Sequence, residues 1–367
     1  MKFVCNKSNI LDAIQTAQKG VTGKSTIAIL QGILILANSN EIILIGSDRD
    51  ISIETKFDAE IYEKGSIVVD SKLFGDIIRK LPNSEIELET HEDNTLEIRC
   101  NKSTFNLIYM NSDDFPNLPS VNEDINVEIN QQILKNMIKG TLFAVAQEET
   151  RPILTGVLFE IKNNKLSLVA LDGYRLALRS ESINVNNNFS VVIPGKTLNE
   201  VSKILEDGDD TVKISFTKNH ILFNLNKTRI ISILLSGEFI NYKSIIPEEY
   251  NLKVIANRID ILNCIERASL LAKDGNTNLI KFDINEENMI ITSNSQLGKV
   301  REELNIILQG QSIQIAFNSK YLIDLLKIMD EEEIVLEFSS AVSPCIVKNK
   351  ESDNSIYLVL PVRIFAN

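Results

Sequence analysis

A ten-residue pattern that occurs three times at a constant offset of 124 residues constrains this chain more than any other feature. It runs from Lys72 to Leu81, from Lys196 to Leu205 and from Lys320 to Met329. In each copy a base fills the first and eighth positions (Lys72/Arg79, Lys196/Lys203, Lys320/Lys327) and an acid the fifth (Asp76, Glu200, Asp324). Apolar side chains fill the third, sixth and tenth (Phe74/Ile77/Leu81, Leu198/Val201/Leu205, Leu322/Leu325/Met329). The apolar positions keep helical spacing, and bases seven apart share a different face, so each copy predicts an amphipathic helix with a basic edge.

Three such periods make 372 residues against a chain of 367, so the repeat describes duplicated domains rather than a solenoid. Other landmarks keep the offset: Ile29-Leu30-Gln31-Gly32-Ile33-Leu34 with Ile153-Leu154-Thr155-Gly156-Val157-Leu158, Asp48 with Asp172, and Asp114-Phe115 with Glu238-Phe239. The third copy drifts here, offering Leu279-Ile280-Lys281-Phe282. Within a copy, a short strand leads to a first helix, expected at Asn9 to Lys19, Gln131 to Val145 and Arg258 to Ala272. Period-two segments parted by turn formers follow, then the basic-edged helix, entered through Ser71, Gly195 or Ser319 as cap residues, then three closing strands. Two helices and about eight strands per copy define an α+β unit of antiparallel sheet with helices on one side. Boundaries are expected in the proline- and acid-rich segments 113–124 and 247–251, giving domains 1–122, 123–248 and 249–367.

With 44% apolar and 24% charged residues the chain is globular. Cys5, Cys100, Cys264 and Cys345 lie far apart and His91 and His220 stand alone, so neither a disulfide framework nor a metal site is expected. The start at Met1 lacks the basic and long apolar regions of a signal peptide, and the near-apolar run from Ile27 to Ala37 is too short to span a bilayer. A cytoplasmic protein without membrane contact is expected. The net charge of -12, from 38 basic and 50 acidic residues, argues by itself against a nucleic-acid partner.

Catalytic motifs are missing. Gly23-Lys24-Ser25-Thr26 resembles the end of a phosphate-binding loop, but the glycine required five residues before Gly23 is Gln18. Glu148 and Glu149 beside Arg151 read as solvated charge, and two scattered histidines support no nucleophilic triad. The reading is a protein without chemistry or cofactor of its own. The basic helices are then the notable feature. One such helix would be an ordinary ion-paired surface, whereas three in register present the same cations in every copy. Flexible cations without a base-reading cluster touch phosphates and not sequence.

The threefold repeat, Asp113-Asp114-Phe115-Pro116-Asn117-Leu118, Leu171-Asp172-Gly173-Tyr174-Arg175-Leu176 and Tyr357-Leu358-Val359-Leu360-Pro361-Val362-Arg363 together resemble the bacterial DNA polymerase III beta subunit family, the sliding clamps, over essentially the full length. The resemblance implies a crescent-shaped protomer of three clamp domains and a ring formed as a head-to-tail homodimer, helices lining the hole and sheets outside. It implies sequence-independent binding of double-stranded DNA, and partnership with the replicative polymerase, the clamp loader and other proteins carrying a clamp-binding motif. Lys24 joins Lys72, Arg79, Lys196, Lys203, Lys320 and Lys327 as DNA-facing by this resemblance. Glu148, Pro152 and Ile153 stand where some relatives place a polar and two aromatic contacts. The resemblance places a partner-peptide groove at Leu154, Leu171, Gly173, Tyr174, Arg175, Leu176, Ile240, Ser244, Ile245, Val342, Pro344, Leu358, Val359, Leu360, Pro361, Val362, Arg363 and Ile364. Ser244 and Ile240 replace a basic residue and a proline common in relatives. For the dimer seam the implied residues are Phe105 and Leu107 on one subunit, Leu270 and Leu271 on the other.

Overall fold

The computed structural model describes residues 1–363 apart from 24, 120, 122–124, 149, 186, 187, 275–277 and 351. Six α-helices occur among them: α1 (Lys7–Ala17), α2 (Ser71–Lys80), α3 (Gln131–Leu142), α4 (Gly195–Ile204), α5 (Arg258–Asp274) and α6 (Ser319–Ile328). The described residues also form twenty-seven strands. Setting aside the short edge strands Glu60–Glu63, Met110–Asn111 and Ile307–Gln309 leaves eight per repeat, with two helices each.

Two compact units result, one of residues 1–133 with 199–234, the other of 134–198 with 235–367. Each contains a nine-stranded antiparallel sheet built the same way. In the first, eight strands run in the order 65–70, 32–37, 42–47, 51–57, 228–233, 220–224, 211–216 and 125–130. In the second the order is 189–194, 156–162, 165–171, 175–182, 355–359, 345–349, 333–338 and 252–257. Both sheets cross the copy boundaries expected from sequence, because the fourth strand of one copy pairs with the last strand of the next. Ile51–Phe57 pairs with Thr228–Ile233, and Arg175–Ser182 with Ser355–Val359. A five-stranded sheet completes the first unit and a four-stranded sheet the second.

The helices bury the faces the pattern assigns. Phe74, Leu81, Leu198, Val201, Leu205, Leu322, Leu325 and Met329 are buried, and only Ile77 remains half-exposed. In the first unit α1 and α2 contribute Ile10, Ile14, Phe74 and Ile78 to a core shared with Phe3, Leu88 and Ile98 of one sheet and Ile33, Ile35 and Leu44 of the other. All four cysteines are free and buried, and burial pushes the Cys5 thiol up to about 12.

Helix starts and ends depart from expectation by a few residues. The caps are Asp70 and Asn318, whose side chains accept from Leu73 N (2.7 Å) and Lys320 N (3.0 Å). Ser71 and Ser319 are instead the first helical residues, and both are buried. A short polar side chain on the last extended residue can turn back to an orphan amide, which a residue already inside the helix cannot do. The first helix of copy one also begins at Lys7 rather than Asn9, and Gln18–Gly20 closes it as a 3-10 turn.

That first residue has a repeated task. Lys7 Nζ donates to the carbonyls of Arg79 (3.0 Å) and Leu81, where α2 ends. Gln131 accepts from Glu206 N (2.9 Å) and donates to Thr211 O (3.3 Å) just past α4. Arg258 donates to Leu326 O (3.0 Å) and Glu331 O (2.7 Å) at the end of α6. Each copy thus fastens the start of its first helix to the end of its second or the segment after it, and in copies one and three this satisfies carbonyls that the helix terminus leaves open. Replacing Arg258 by Ala removes two charge-assisted bonds, so urea unfolding should show a loss of about 1.5–3 kcal/mol. An unshifted unfolding midpoint would show that the fastening contributes nothing.

Candidate functional site

Three groups of predicted residues were located: the basic helix edges, the groove and the two apolar edges. Lys72, Arg79, Lys196, Lys203, Lys320 and Lys327 are all exposed, on α2, α4 and α6. Lys24 lies outside the described residues. The acid of the pattern answers the base three residues on, Asp76 to Arg79 at 2.6 Å and Glu200 to Lys203 at 2.7 Å. Copy three breaks this rule. Asp324 turns to Arg175 (2.8 Å), and Lys327 is met instead by Glu266 of α5 at 2.7 Å. Exposed pairs of this kind stabilise by at most about 1 kcal/mol, so a phosphate can compete for these cations. Lys19, which the sequence did not single out, lies near this group. Burial lowers its pKa, and Lys203 adds to the lowering while Glu200 opposes it.

The groove residues converge in the second unit. Leu154, Leu171, Leu176 and Leu358 are buried in one apolar cluster with Leu158, Val169, Leu178, Val192, Tyr242 and Ile346. Ile153, Ile240, Ile245, Ile246 and Leu360 lie half-buried against it. Ile153 is therefore part of the cluster, while Glu148 and Pro152 are exposed beside it in sequence and Glu149 lies outside the described residues. Antiparallel pairing sets Leu176 opposite Leu358 and Arg175 opposite Val359. Beyond the strand, Leu360 N donates to Tyr174 O (2.8 Å) and Val362 N to Ala316 O (2.8 Å). Pro361 is half-buried, Val362 and Arg363 are exposed, and Ile364 lies outside the described residues.

Several predicted members lie outside the cluster, Val342, Ser244 and Pro344 among them. Val342 is 68% exposed, Ser244 is exposed with its hydroxyl turned to Asn241 O (2.8 Å), and Pro344 lines a pocket of about 120 Å³ with Pro247, Tyr250 and the cluster residues Ile246 and Ile346.

A tight turn forms the rim. Asp172 Oδ1 accepts from Tyr174 N (2.9 Å) and Arg175 N (3.0 Å), and Gly173 takes φ +93°, a left-handed conformation that favours glycine. Copy one builds the same turn on Asp48, which accepts from Asp50 N (3.1 Å) and Ile51 N (3.0 Å), with Arg49 at φ +82°. There Ser47 and Ser52 replace Leu171 and Leu176, and their buried hydroxyls bond each other at 2.8 Å. Of these two turns, only the second-unit one is flanked by paired leucines.

Arg175 is only 8% exposed. Its guanidinium bonds Asp172 Oδ2 (2.9 Å) and Asp324 Oδ2 (2.8 Å) and lies over the rings of Tyr321 (4.8 Å) and Phe143 (5.4 Å). Tyr321 in turn stacks on Tyr174, centroids 6.0 Å apart. Tyr321, Phe143 and Asp324 were missed as groove neighbours: Tyr321 and Asp324 belong to the basic-edged helix pattern, which assigns them to a surface helix, and Phe143 carries no motif. Nearby, Tyr242 donates its hydroxyl to Glu160 (2.8 Å), and burial together with that bond raises its pKa.

The predicted seam residues lie on one edge strand and on helix α5. Phe105 and Leu107 belong to strand Ser103–Ile108, the last strand of the five-stranded sheet. Phe105 is 39% exposed and Leu107 half-buried. Leu270, on α5, is 70% exposed, and Leu271 is half-buried near Gly298, which opens the edge strand Gly298–Asn305 of the four-stranded sheet. Among the described residues no helix is long and apolar enough to cross a membrane.

Three repeats of two helices and eight strands, in two units each with a sheet that crosses a repeat junction, define a three-domain clamp fold. The N-terminal, central and C-terminal domains of the DNA polymerase III beta subunit match residues 1–119, 128–241 and 243–363. The beta sliding clamps of Staphylococcus epidermidis and Bacillus subtilis are 38% and 36% identical to the chain, each over the whole of both sequences. Among solved structures, the Bacillus subtilis DNA polymerase sliding clamp superposes with a TM-score of 0.96 at 36% identity, covering 100% of both chains. A DNA polymerase III beta subunit from Eubacterium rectale gives 0.95 at 39% identity, covering 99% of both. The chain belongs to the bacterial DNA polymerase III beta subunit family, the sliding clamps.

Proposed function

We propose that this chain is a DNA sliding clamp, a processivity factor without chemistry of its own, which encircles duplex DNA and tethers the replicative polymerase. The observation that carries this reading is the repeat itself: three equivalent helices each expose two cations, while an apolar cluster rimmed by Leu171 and Leu176 lies at the second repeat junction. In the proposed assembly, domains 1–122, 123–248 and 249–367 form a crescent. Two crescents join head to tail in a cytoplasmic ring, helices inward. Lys24, Lys72, Arg79, Lys196, Lys203, Lys320 and Lys327 then face the phosphates, independent of sequence.

A net charge of -12 is compatible with this arrangement, because a closed ring retains DNA mechanically and needs no attractive field. Strong attraction would hinder sliding, since every neutralised phosphate adds salt-dependent affinity. The partly paired cations Arg79, Lys203 and Lys327 suit a weak hold.

The groove receives a short partner peptide carrying leucine, phenylalanine and a glutamine anchor, its aliphatic wall supplied by Leu154, Leu171, Leu176, Ile240, Ile245, Leu358 and Leu360. The polymerase, the clamp loader and other clamp-binding proteins are its occupants. Tethering raises the polymerase concentration at the primer end, so that dissociation is followed by local rebinding. The seam joins Phe105 and Leu107 of one subunit to Leu270 and Leu271 of the other, covering two edges that would otherwise invite aggregation.

Two experiments test this reading. Leu358 and Val359 are buried strand residues, so truncation should begin at Pro361. The truncated protein should keep its dimeric mass and lose most stimulation of the polymerase on primed circular template. Undiminished stimulation would refute the groove. Replacing Leu270 and Leu271 together by Ala removes apolar contact worth about 1.5–3 kcal/mol per fully buried side chain. Light scattering should then report a shift towards monomer at micromolar protein; an unchanged mass would refute the seam.

A further inference from the structure

The acid at the fifth position of the basic helices pairs within its own helix in the first two copies, Asp76 with Arg79 and Glu200 with Lys203. In α6 the corresponding Asp324 leaves that pattern and reaches the guanidinium of Arg175. We propose that Asp324, together with Tyr321 one turn earlier, is a positioning residue for the partner groove: from α6 it holds Arg175, and through Arg175 the Gly173-Tyr174 rim, in the shape that receives the peptide. The inference rests on the groove reading above.

The contacts form a closed chain of constraints. Arg175 is buried between two carboxylates, Asp172 on its own turn and Asp324 on α6, each bonding a different nitrogen of the fork. A guanidinium held at two points in a plane has little rotational freedom, unlike an ammonium. Its faces lie against Tyr321 and Phe143, at distances where cation–π attraction operates. Tyr321 stacks on Tyr174 at an interplanar angle of 21°, so the rim tyrosine, 60% exposed, rests on a ring that α6 carries. Tyr174 O in turn receives Leu360 N, the point where the C-terminal segment leaves its strand. Burial raises the Tyr321 hydroxyl pKa, the Asp172 charge reinforces it and the Arg175 charge opposes it.

Removing one partner of a buried, doubly bonded cation leaves the remainder to rearrange. With Asp324 neutralised, Arg175 keeps Asp172 but its tie to α6 loses its charge assistance, and the clamp behind the Tyr174–Tyr321 stack weakens. The turn itself survives, because Asp172 bonds its backbone directly. The expected outcome is a groove that is folded yet less well preorganised, which lowers affinity without removing a peptide contact. Lys320 occupies the residue before Tyr321 on the same helix. The helix assigned to DNA therefore also props the groove rim.

The test uses the full-length protein and a fluorescein-labelled peptide containing glutamine, leucine and phenylalanine, with affinity read by anisotropy. Asp324→Asn should weaken binding about tenfold, a typical coupling between linked sites. Asp324→Glu should recover most of the loss, and thermal midpoint and dimer mass should match the wild type. Asp324→Asn binding as tightly as wild type, while truncation from Pro361 weakens the peptide, overturns the proposal and leaves the groove standing. Equal loss of affinity and thermal stability in both the Asn and the Glu variant marks a general structural role and also overturns it. Peptide binding indifferent to the truncation removes the groove reading, and this proposal with it.

Discussion

Backbone pairing across repeat junctions is the interaction on which the rest of the molecule depends. Where Arg175–Ser182 meets Ser355–Val359, and Ile51–Phe57 meets Thr228–Ile233, a strand of one repeat satisfies the edge of the next. Unpaired strand edges are sites of uncontrolled association, and joining them within the chain converts a liability into a continuous sheet. The same junction builds the apolar cluster of the second unit, because it sets Leu176 beside Leu358 and leads into a tail that bonds Tyr174 O beside the Gly173 turn. The first-unit junction has the same strand order, yet Ser47, Ser52, Thr55 and Thr228 pair their hydroxyls there, at 2.8 Å between the serines and 3.0 Å between the threonines. With equal backbone, the two junctions differ in their side chains: Leu171 and Leu176 flank the turn in one and the bonded Ser47 and Ser52 in the other.

Charge follows a similar logic of repetition with local exceptions. Six cations recur at fixed places on three helices, and Arg79, Lys203 and Lys327 each meet an acid, so these three present a tempered rather than a bare charge. For a protein that must stay on DNA without stopping on it, the tempered version is the useful one. Asp324 is the exception, since it pairs with Arg175 and not with the base three residues on in its own helix.

Much of this was legible from the sequence, for physical reasons that can be named. The amphipathic helices were readable because Phe74, Leu198 and Leu322 must all reach a core at 3.6-residue spacing. Eight strands per repeat were readable from period-two segments and their turn formers. Cap positions were displaced by one residue, since Asp70 with Ser71 and Asn318 with Ser319 offer adjacent polar candidates and only backbone conformation decides between them. The sharing of sheets between repeats was not legible, because pairing of 175–182 with 355–359 spans a sequence separation that no local pattern encodes. Arg175, Tyr321 and Asp324 assemble across a comparable gap, and Val342 and Pro344 drop out of the apolar cluster for reasons of tertiary placement alone. The helix-to-helix fastening by Lys7, Gln131 and Arg258 likewise uses three different residue types at one structural position, which hides it from any search for identical residues.

The central claim is that an anionic protein holds a polyanion by enclosure rather than attraction. Its most direct test is the lifetime of the loaded protein on nicked circular duplex, measured before and after a single linearising cut, at salt raised from about 50 mM to about 200 mM, a range over which charge-held proteins lose about 10³–10⁵ in affinity. Enclosure predicts a long lifetime on the circle that changes little with salt, and rapid loss through the ends once the circle is cut. Equal lifetimes on circular and cut DNA, falling steeply with salt on both, would contradict it.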